Sequence, residues 1–170
     1  MSEEVEEILS YLEPRNDYVI WAGFAQYAHL GMKPSDDVDI YAKTPRAKFR
    51  IVWDMRKNGW KKVVRKNLGI EIETLKKGDT TFDIAYSENA SKLFFTDVRK
   101  FLLNGHMLHF VSPEVFVITK MGLLSMEERS DEKRQRDIKA ITTIRKRADP
   151  RKLAKIAGRL PAIYWKVGLV

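Results

Sequence analysis

Asp37 and Asp39 stand one residue apart in the segment Ser35-Asp36-Asp37-Val38-Asp39-Ile40. On a strand, whose side chains alternate, both carboxylates fall on one side, while Val38 and Ile40 turn to the other, toward apolar packing. Aspartate is a poor strand former, and two ionised carboxylates on one side repel. At ~4 Å and an effective dielectric near 20 the repulsion is about 4 kcal/mol. A divalent cation is the simplest compensation, and hard oxygen ligands suit Mg²⁺ or Mn²⁺. Asp83 repeats the pattern in Thr81-Phe82-Asp83-Ile84-Ala85, an acid on a strand between apolar residues. A third carboxylate on a neighbouring strand would complete a site of the two-metal kind, which activates an attacking hydroxyl and holds a triphosphate. Two other readings stay open on the residues alone. Asp37 and Asp39 would also suit an edge strand that shows both acids to solvent. Glu71 or Glu73 would replace Asp83 if the register differed by one strand.

Other elements must bring these groups together. Tyr18 to Ala22 is a run of β-branched and aromatic residues, the pattern of a buried strand. Gly23 breaks it, and Phe24 to Leu30 reads as a helix. A glycine at a strand end that opens a helix lets backbone approach a phosphate, and the helix N-terminus attracts the anion. Gly23 and the helix start at Phe24 are therefore candidate phosphate contacts. Gly31 to Asp36 reads as a turn, in which Ser35 either caps the loop or touches phosphate. Val38 to Ala42 is a second strand. Pro45 to Asn58 reads as a helix with Phe49, Val52 and Trp53 inward, and Trp60 to Val64 as a strand. Ile70 to Leu75 and Thr81 to Tyr86 read as a hairpin joined by Lys76-Lys77-Gly78-Asp79.

A helix over residues 3–13 precedes these elements, and a short strand over Met107 to Val111 follows. Beyond it the texture becomes helical. Ser112-Pro113-Glu114 is a helix start, with Ser at the cap, Pro at the first position and an acid in the first turn. Ser130-Asp131-Glu132 opens a second helix that runs to about Arg147, and Asp149-Pro150 opens a third. The expected organisation is an α/β core over 1–111 and a helical segment over 112–170 packed on it as one compact unit.

The chain has 170 residues, 44% of them hydrophobic, which suits one domain with a real core. No apolar run approaches the roughly 20 residues of a membrane helix. The acidic, amphipathic start MSEEVEEILSYLE is unlike a secretory signal, so the expected location is the cytoplasm. With no cysteine, disulfides, thiol catalysis and thiolate zinc sites drop out together. Only His29, His106 and His109 are available for a histidine-rich metal site, which argues against one. The formal charge is +8, yet from Lys133 to Lys166 there are 12 Lys/Arg against Asp137 and Asp149, a local +10 that leaves −2 for the rest. A basic C-terminal quarter suits a surface facing phosphates, and it equally suits a solvated helix face.

The ordered set resembles the DNA polymerase β-like nucleotidyltransferase superfamily, and within it the minimal, toxin-like prokaryotic branch of the AbiEii type. Ala22-Gly23 sits at the family's Gly-Gly/Ser pair. The 13 residues from Phe24 to Asp36 separate it from Asp37-Val38-Asp39, and Asp83 falls at the later carboxylate. Gly23-Phe24-Ala25, His29, Lys33 and Ser35 echo close relatives, as do Ser112-Pro113-Glu114, Lys120 and the run from Arg134 to Asp137. The resemblance spans about residues 17 to 145. It implies an α/β nucleotidyltransferase fold, a small mixed twisted sheet flanked by helices with a C-terminal helical segment. It also implies an NTP substrate, Mg²⁺ or Mn²⁺ on Asp37, Asp39 and Asp83, and phosphate contacts from Gly23, Phe24, Ser35, Lys33 and Lys120. The implied reaction moves a nucleoside monophosphate to a hydroxyl of an RNA end or a protein, in a setting that includes toxin–antitoxin pairs and a partner protein. Two positions depart from the family pattern: Ala22 replaces a glycine, and Lys33 replaces an arginine and loses its bidentate fork. They point to the alternative, a catalytically degenerate fold that binds nucleic acid or protein. Lys120 has its own alternative, a structural pair with Asp137 or Glu114. Oligomeric state has no sequence signal.

Overall fold

A computed structural model of the chain describes residues 1–31, 37–63, 71–124 and 130–158. The elements begin with α1 (Glu3–Leu12), β1 (Tyr18–Trp21), α2 (Ala22–Leu30), β2 (Asp37–Ala42), α3 (Pro45–Lys57) and β3 (Lys61–Val63). They continue with β4 (Glu71–Lys77), β5 (Thr80–Tyr86), α4 (Glu88–Phe94), β6 (Val98–Leu103) and β7 (His106–Val111). The helices α5 (Pro113–Leu124), α6 (Asp131–Arg145) and α7 (Pro150–Ala157) close the order. Among the described residues, seven strands form one mixed sheet in the order β3-β4-β5-β2-β1-β7-β6. β2 is parallel to β5 and β1 to β7, while the other neighbours are antiparallel.

Helix starts follow the expected chemistry. Ser2, Thr44, Ser87, Ser130 and Asp149 each cap a helix through the side chain, and Pro45 and Pro150 stand in the first turn, each cap being worth about 1 kcal/mol. Two tight hairpins belong to the sheet. In β4–β5 the pair Lys77–Thr80 closes a two-residue turn in which Gly78 takes φ 56°. In β6–β7 the turn is Asn104-Gly105, with φ 52° and 87°. Positive φ at both central residues is what a type I′ hairpin needs, and Asn-Gly supplies it at low cost. β6 and α4 were not among the expected elements, although Asn104-Gly105 and Ser87-Glu88 are local signals for them.

α1 and α3 lie against the sheet face that carries Val38, Ile40, Phe82 and Ile84. Val5, Ile8, Leu9 and Leu12 of α1 are buried there, and Tyr11 donates to Asp54 of α3 at 2.9 Å. The inward face of α3 differs from the expected one. Ala47, Lys48, Ile51 and Met55 are buried, whereas Phe49 is 68% and Trp53 50% exposed. The small Ala47 lets the helix approach the sheet along the row Ala47-Ile51-Met55, and side-chain bulk alone did not identify that row. Trp60 is core, with its indole N–H donating to Glu7 at 3.2 Å and its ring edge-on to Phe82. On the helical side, α5 packs against α6, α7, α2 and β7. No described helix is long and apolar enough to cross a membrane.

His106 ties the β6–β7 turn to α1. Its Nε2 lies 2.6 Å from Glu6 and its Nδ1 2.9 Å from Glu13, and Glu13 also accepts the Met107 amide at 3.1 Å. Hydrogen bonding to Glu13, then to Glu6, raises the imidazole pKa above 6.5, and bonding to His106 lowers both carboxylates below 4.5. Below its unfolded pKa the imidazolium contributes fully, and that stability is lost as pH rises through the raised folded value. The glutamates contribute above their unfolded pKa and lose their share as pH falls through their lowered values. The wild type should therefore exceed His106→Gln in thermal stability most between about pH 4.5 and 6.5. In a pH series of melting curves the gap should shrink above that window; a gap that widens toward pH 9 would contradict the tether.

Candidate active site

The sheet register assembles the carboxylates. β2 and β5 run parallel, with Asp39 directly opposite Asp83 and Asp37 opposite Thr81. Side chains on opposed positions share a face, so Asp37, Asp39 and Asp83 stand on one side of the sheet and Val38, Ile40, Phe82 and Ile84 on the other. Trp21 of β1 opposes Asp39 from the other flank, and Thr74 of β4 opposes Asp83. Central strands, not an edge, carry the acids, which removes the solvent-facing edge-strand reading. Glu73 opposes Ile84 and Glu71 opposes Tyr86. Glu73 therefore sits at a position of the other face, not beside Asp83.

Two threonines hold the acids. The Thr81 hydroxyl donates to Asp37, and the Thr74 hydroxyl donates to Asp83 at 2.5 Å. Thr74 gives no signal until the hairpin register is fixed; the two-residue turn at Gly78-Asp79 then places it beside Asp83. The bond ties Asp83 to β4. Below the carboxylates lies an aromatic wall. Phe94 of α4 stacks on Tyr41 with centroids 4.1 Å apart and meets Trp21 edge-on at 5.1 Å.

The donor set fits a hard divalent cation in kind, being carboxylate oxygens on one face. Among the described residues, no three His, Asp or Glu side chains are gathered into a ready-made ion site. The backbone thus places the three carboxylates on one face, and the hydroxyl bond from Thr74 engages one oxygen of Asp83.

α2 begins where β1 ends, one strand from Asp39. Its N-cap position is Trp21, whose indole has no acceptor for the first-turn N–H groups of Ala22, Gly23 and Phe24, the donors an anion would meet. The Phe24 side chain is fully buried, so only its backbone faces that end. Ala22 takes φ 54°, a left-handed conformation that costs a residue with a Cβ about 1–2 kcal/mol. A glycine at the first position of the pair would adopt it without strain. Ala22→Gly should raise stability by about 1 kcal/mol, a gain of roughly 2–4 °C in melting temperature; an unchanged or lower melting temperature would show that neighbours over-determine this turn.

Lys33 and Ser35 lie outside the described residues. Lys120 is buried and its Nζ sits 2.8 Å from Asp137, so its structural pairing is realised, between α5 and α6. His29 is a packing residue, its Nε2–H donating to the Val111 carbonyl at 2.8 Å and its ring edge-on to Phe101 and Phe116. Burial pushes its pKa down. A cleft of about 180 Å³ lined by Pro45, Lys48, Phe49, Val52, Glu73 and Tyr86 opens between α3 and the other face of the sheet, away from the three aspartates.

Two solved structures share this architecture. An antigenic nucleotidyltransferase-like protein from Paracoccidioides brasiliensis superposes with a TM-score of 0.57 at 16% identity, over 96% of this chain and 91% of that one. ANT(2″)-Ia, in complex with adenylyl-2″-tobramycin, superposes with a TM-score of 0.67 at 14% identity, over 95% of this chain and 97% of that one. Likeness at this identity establishes the fold, a mixed α/β sheet in the nucleotidyltransferase arrangement. No protein-family model matches the sequence, and no curated protein matches it.

Proposed function

We propose that the chain is a nucleotidyltransferase of the DNA polymerase β-like superfamily that moves a nucleoside monophosphate from an NTP to an acceptor hydroxyl. The observation that carries the reading is the register of Asp39 against Asp83 on parallel strands, with the N-terminus of α2, which no side chain of its N-cap residue caps, one strand away. In the reaction an acceptor oxygen bonds to the α-phosphorus while the bond from that phosphorus to its bridging oxygen breaks, and pyrophosphate leaves. Asp83 favours deprotonation of the acceptor hydroxyl. The first-turn N–H groups at Gly23 and Phe24 hold phosphate oxygens, and Lys33 and Ser35 keep the phosphate contacts that the resemblance implies. Asp37, Asp39 and Asp83 would hold Mg²⁺ or Mn²⁺, which when bound neutralises triphosphate charge and polarises the hydroxyl. Lys120, engaged with Asp137, serves by fixing α5 against α6.

Charge favours an RNA end as acceptor, since Arg136, Lys139, Lys146, Arg151 and Lys155 are exposed on α6 and α7. A protein hydroxyl is a second class of acceptor. The adenylyl-2″-tobramycin held by ANT(2″)-Ia adds a third, a small polyhydroxylated molecule. The test incubates the protein with each of four labelled NTPs, Mg²⁺ or Mn²⁺ and total RNA, beside an Asp37→Ala/Asp39→Ala variant. Label that moves into RNA or protein only with the wild type supports the reading and names the acceptor. One observation favours a silent binding module instead, Ala22 with its Cβ and positive φ at the start of α2; no transfer together with no metal-dependent NTP binding would establish it.

A further inference from the structure

The outward face of α3 carries a stripe that the proposed reaction does not use. Arg46, Phe49, Arg50, Trp53, Arg56 and Lys57 are all exposed, and at 100° per residue they fall on one side of the helix, opposite Ala47, Ile51 and Met55. Phe49 and Trp53 lie nearly parallel, with ring centroids 6.2 Å apart and an interplanar angle of 17°. Lys57 Nζ sits 5.2 Å from the Trp53 ring centroid, so a cation already rests on one aromatic face. Large aromatics this exposed on a helix otherwise well packed against its sheet call for a partner. Charge narrows the choice. α3 holds five Lys/Arg and one acid, Asp54, and that acid is turned toward α1, where it accepts from Tyr11. The exposed side is therefore aromatic and cationic only, which disfavours a basic or simply apolar partner.

We propose that this face of α3 binds single-stranded nucleic acid. Unpaired bases stack on Phe49 and Trp53, and Arg46, Arg50, Arg56 and Lys57 meet the phosphates on either side. Alternating rings and cations along one face are the elements of a sequence-tolerant single-strand platform. A duplex keeps its bases stacked on each other and cannot offer them to the rings. The platform lies on the sheet face opposite Asp37, Asp39 and Asp83, so it would grip a strand at a distance from those residues. The inference does not rest on the transferase reading and survives its failure.

The test is fluorescence anisotropy of the full chain with labelled single-stranded RNA and DNA 12-mers of uridine or thymidine, and with a blunt duplex, at low and moderate salt. Trp53→Ala should weaken single-strand binding roughly tenfold or more, the fold-change of one lost base stack. Trp53→Phe should recover most of it, and Arg46→Gln/Arg50→Gln should lower the slope of log affinity against log salt by about 1. RNA against DNA tells which strand is preferred, and a preference for either supports the platform. Because both rings are exposed, the variants should keep the wild-type circular dichroism. Binding unchanged in both Trp53→Ala and Phe49→Ala would overturn the proposal and move the nucleic acid to the C-terminal helices. Equal affinity for the duplex would also overturn it, as would a Trp53-dependent dimer in sedimentation with no strand binding, which would make the stripe a self-association surface.

Discussion

Asp39→Asn is expected to reduce the proposed nucleotidyl transfer by about a thousandfold or more while leaving the metal-free protein slightly more stable. The loss follows from removing one of the charges that would hold the divalent cation, whose contribution to the transition state is several kcal/mol. The stability gain follows from the register. Asp39 opposes Asp83 directly, and like charges across a strand pair are unfavourable by up to ~1 kcal/mol. An amide keeps the shape and removes the repulsion. Mg²⁺ should therefore raise the melting temperature of the wild type, because it binds only the folded state, and should do little for the variant. Asp83→Asn should behave alike, since the amide oxygen still accepts from Thr74. Full activity in Asp39→Asn would take this carboxylate out of the chemistry. A less stable variant without Mg²⁺ would mean that Asp39 is held by partners worth more than the repulsion it suffers.

The second large effect concerns Lys120 and Asp137. Both are nearly inaccessible, with side chains 9% and 4% exposed, and their ion pair at 2.8 Å links α5 to α6. Removing one member of a buried pair strands the other's charge, at a cost of about 3–5 kcal/mol. Asp137→Leu, which leaves the buried Lys120 without its carboxylate, should therefore lower the melting temperature by about 10 °C or more. Lys120→Met/Asp137→Leu, in which both charges go, should fall within ~1–2 kcal/mol of the wild type. Chemical denaturation of the wild type, the two single variants and the double variant closes the cycle, and additive effects would rule out the pair as a unit. NTP binding by the double variant decides the role that the resemblance gave Lys120. A folded protein that no longer binds NTP would return the lysine to the phosphate, whereas normal binding leaves it as the pin between the helices.

Much of the fold is written locally. Ser112-Pro113-Glu114, Ser130 and Asp149-Pro150 start helices because side-chain oxygens satisfy first-turn N–H groups within three residues. Val38 and Ile40 alternate with Asp37 and Asp39, and that alone assigns two acids to one face of a strand. Asn104-Gly105 is equally legible as a type I′ turn, the local mark of the β6–β7 hairpin. The mixed α/β class followed from these short-range rules, and the expected nucleotidyltransferase fold is the one the structure has.

What tertiary structure decided is which distant strand lies beside β2. Asp83 reaches Asp39 because β5 pairs parallel with β2, and Thr74 reaches Asp83 because a two-residue turn sets the hairpin register. Neither follows from the residues around Asp39. The same holds for α3, where Phe49 and Trp53 face outward because Ala47 permits the closer approach, and for Lys120, whose partner stands on another helix. At Ala22 the sequence shows only a departure from a glycine, and the backbone shows its consequence, a positive φ at the mouth of the site. Caps, turns and alternation act over a few residues through sterics and hydrogen bonds. Strand order and helix facing are chosen by how whole apolar faces are best buried, a property of the assembled chain and not of any segment.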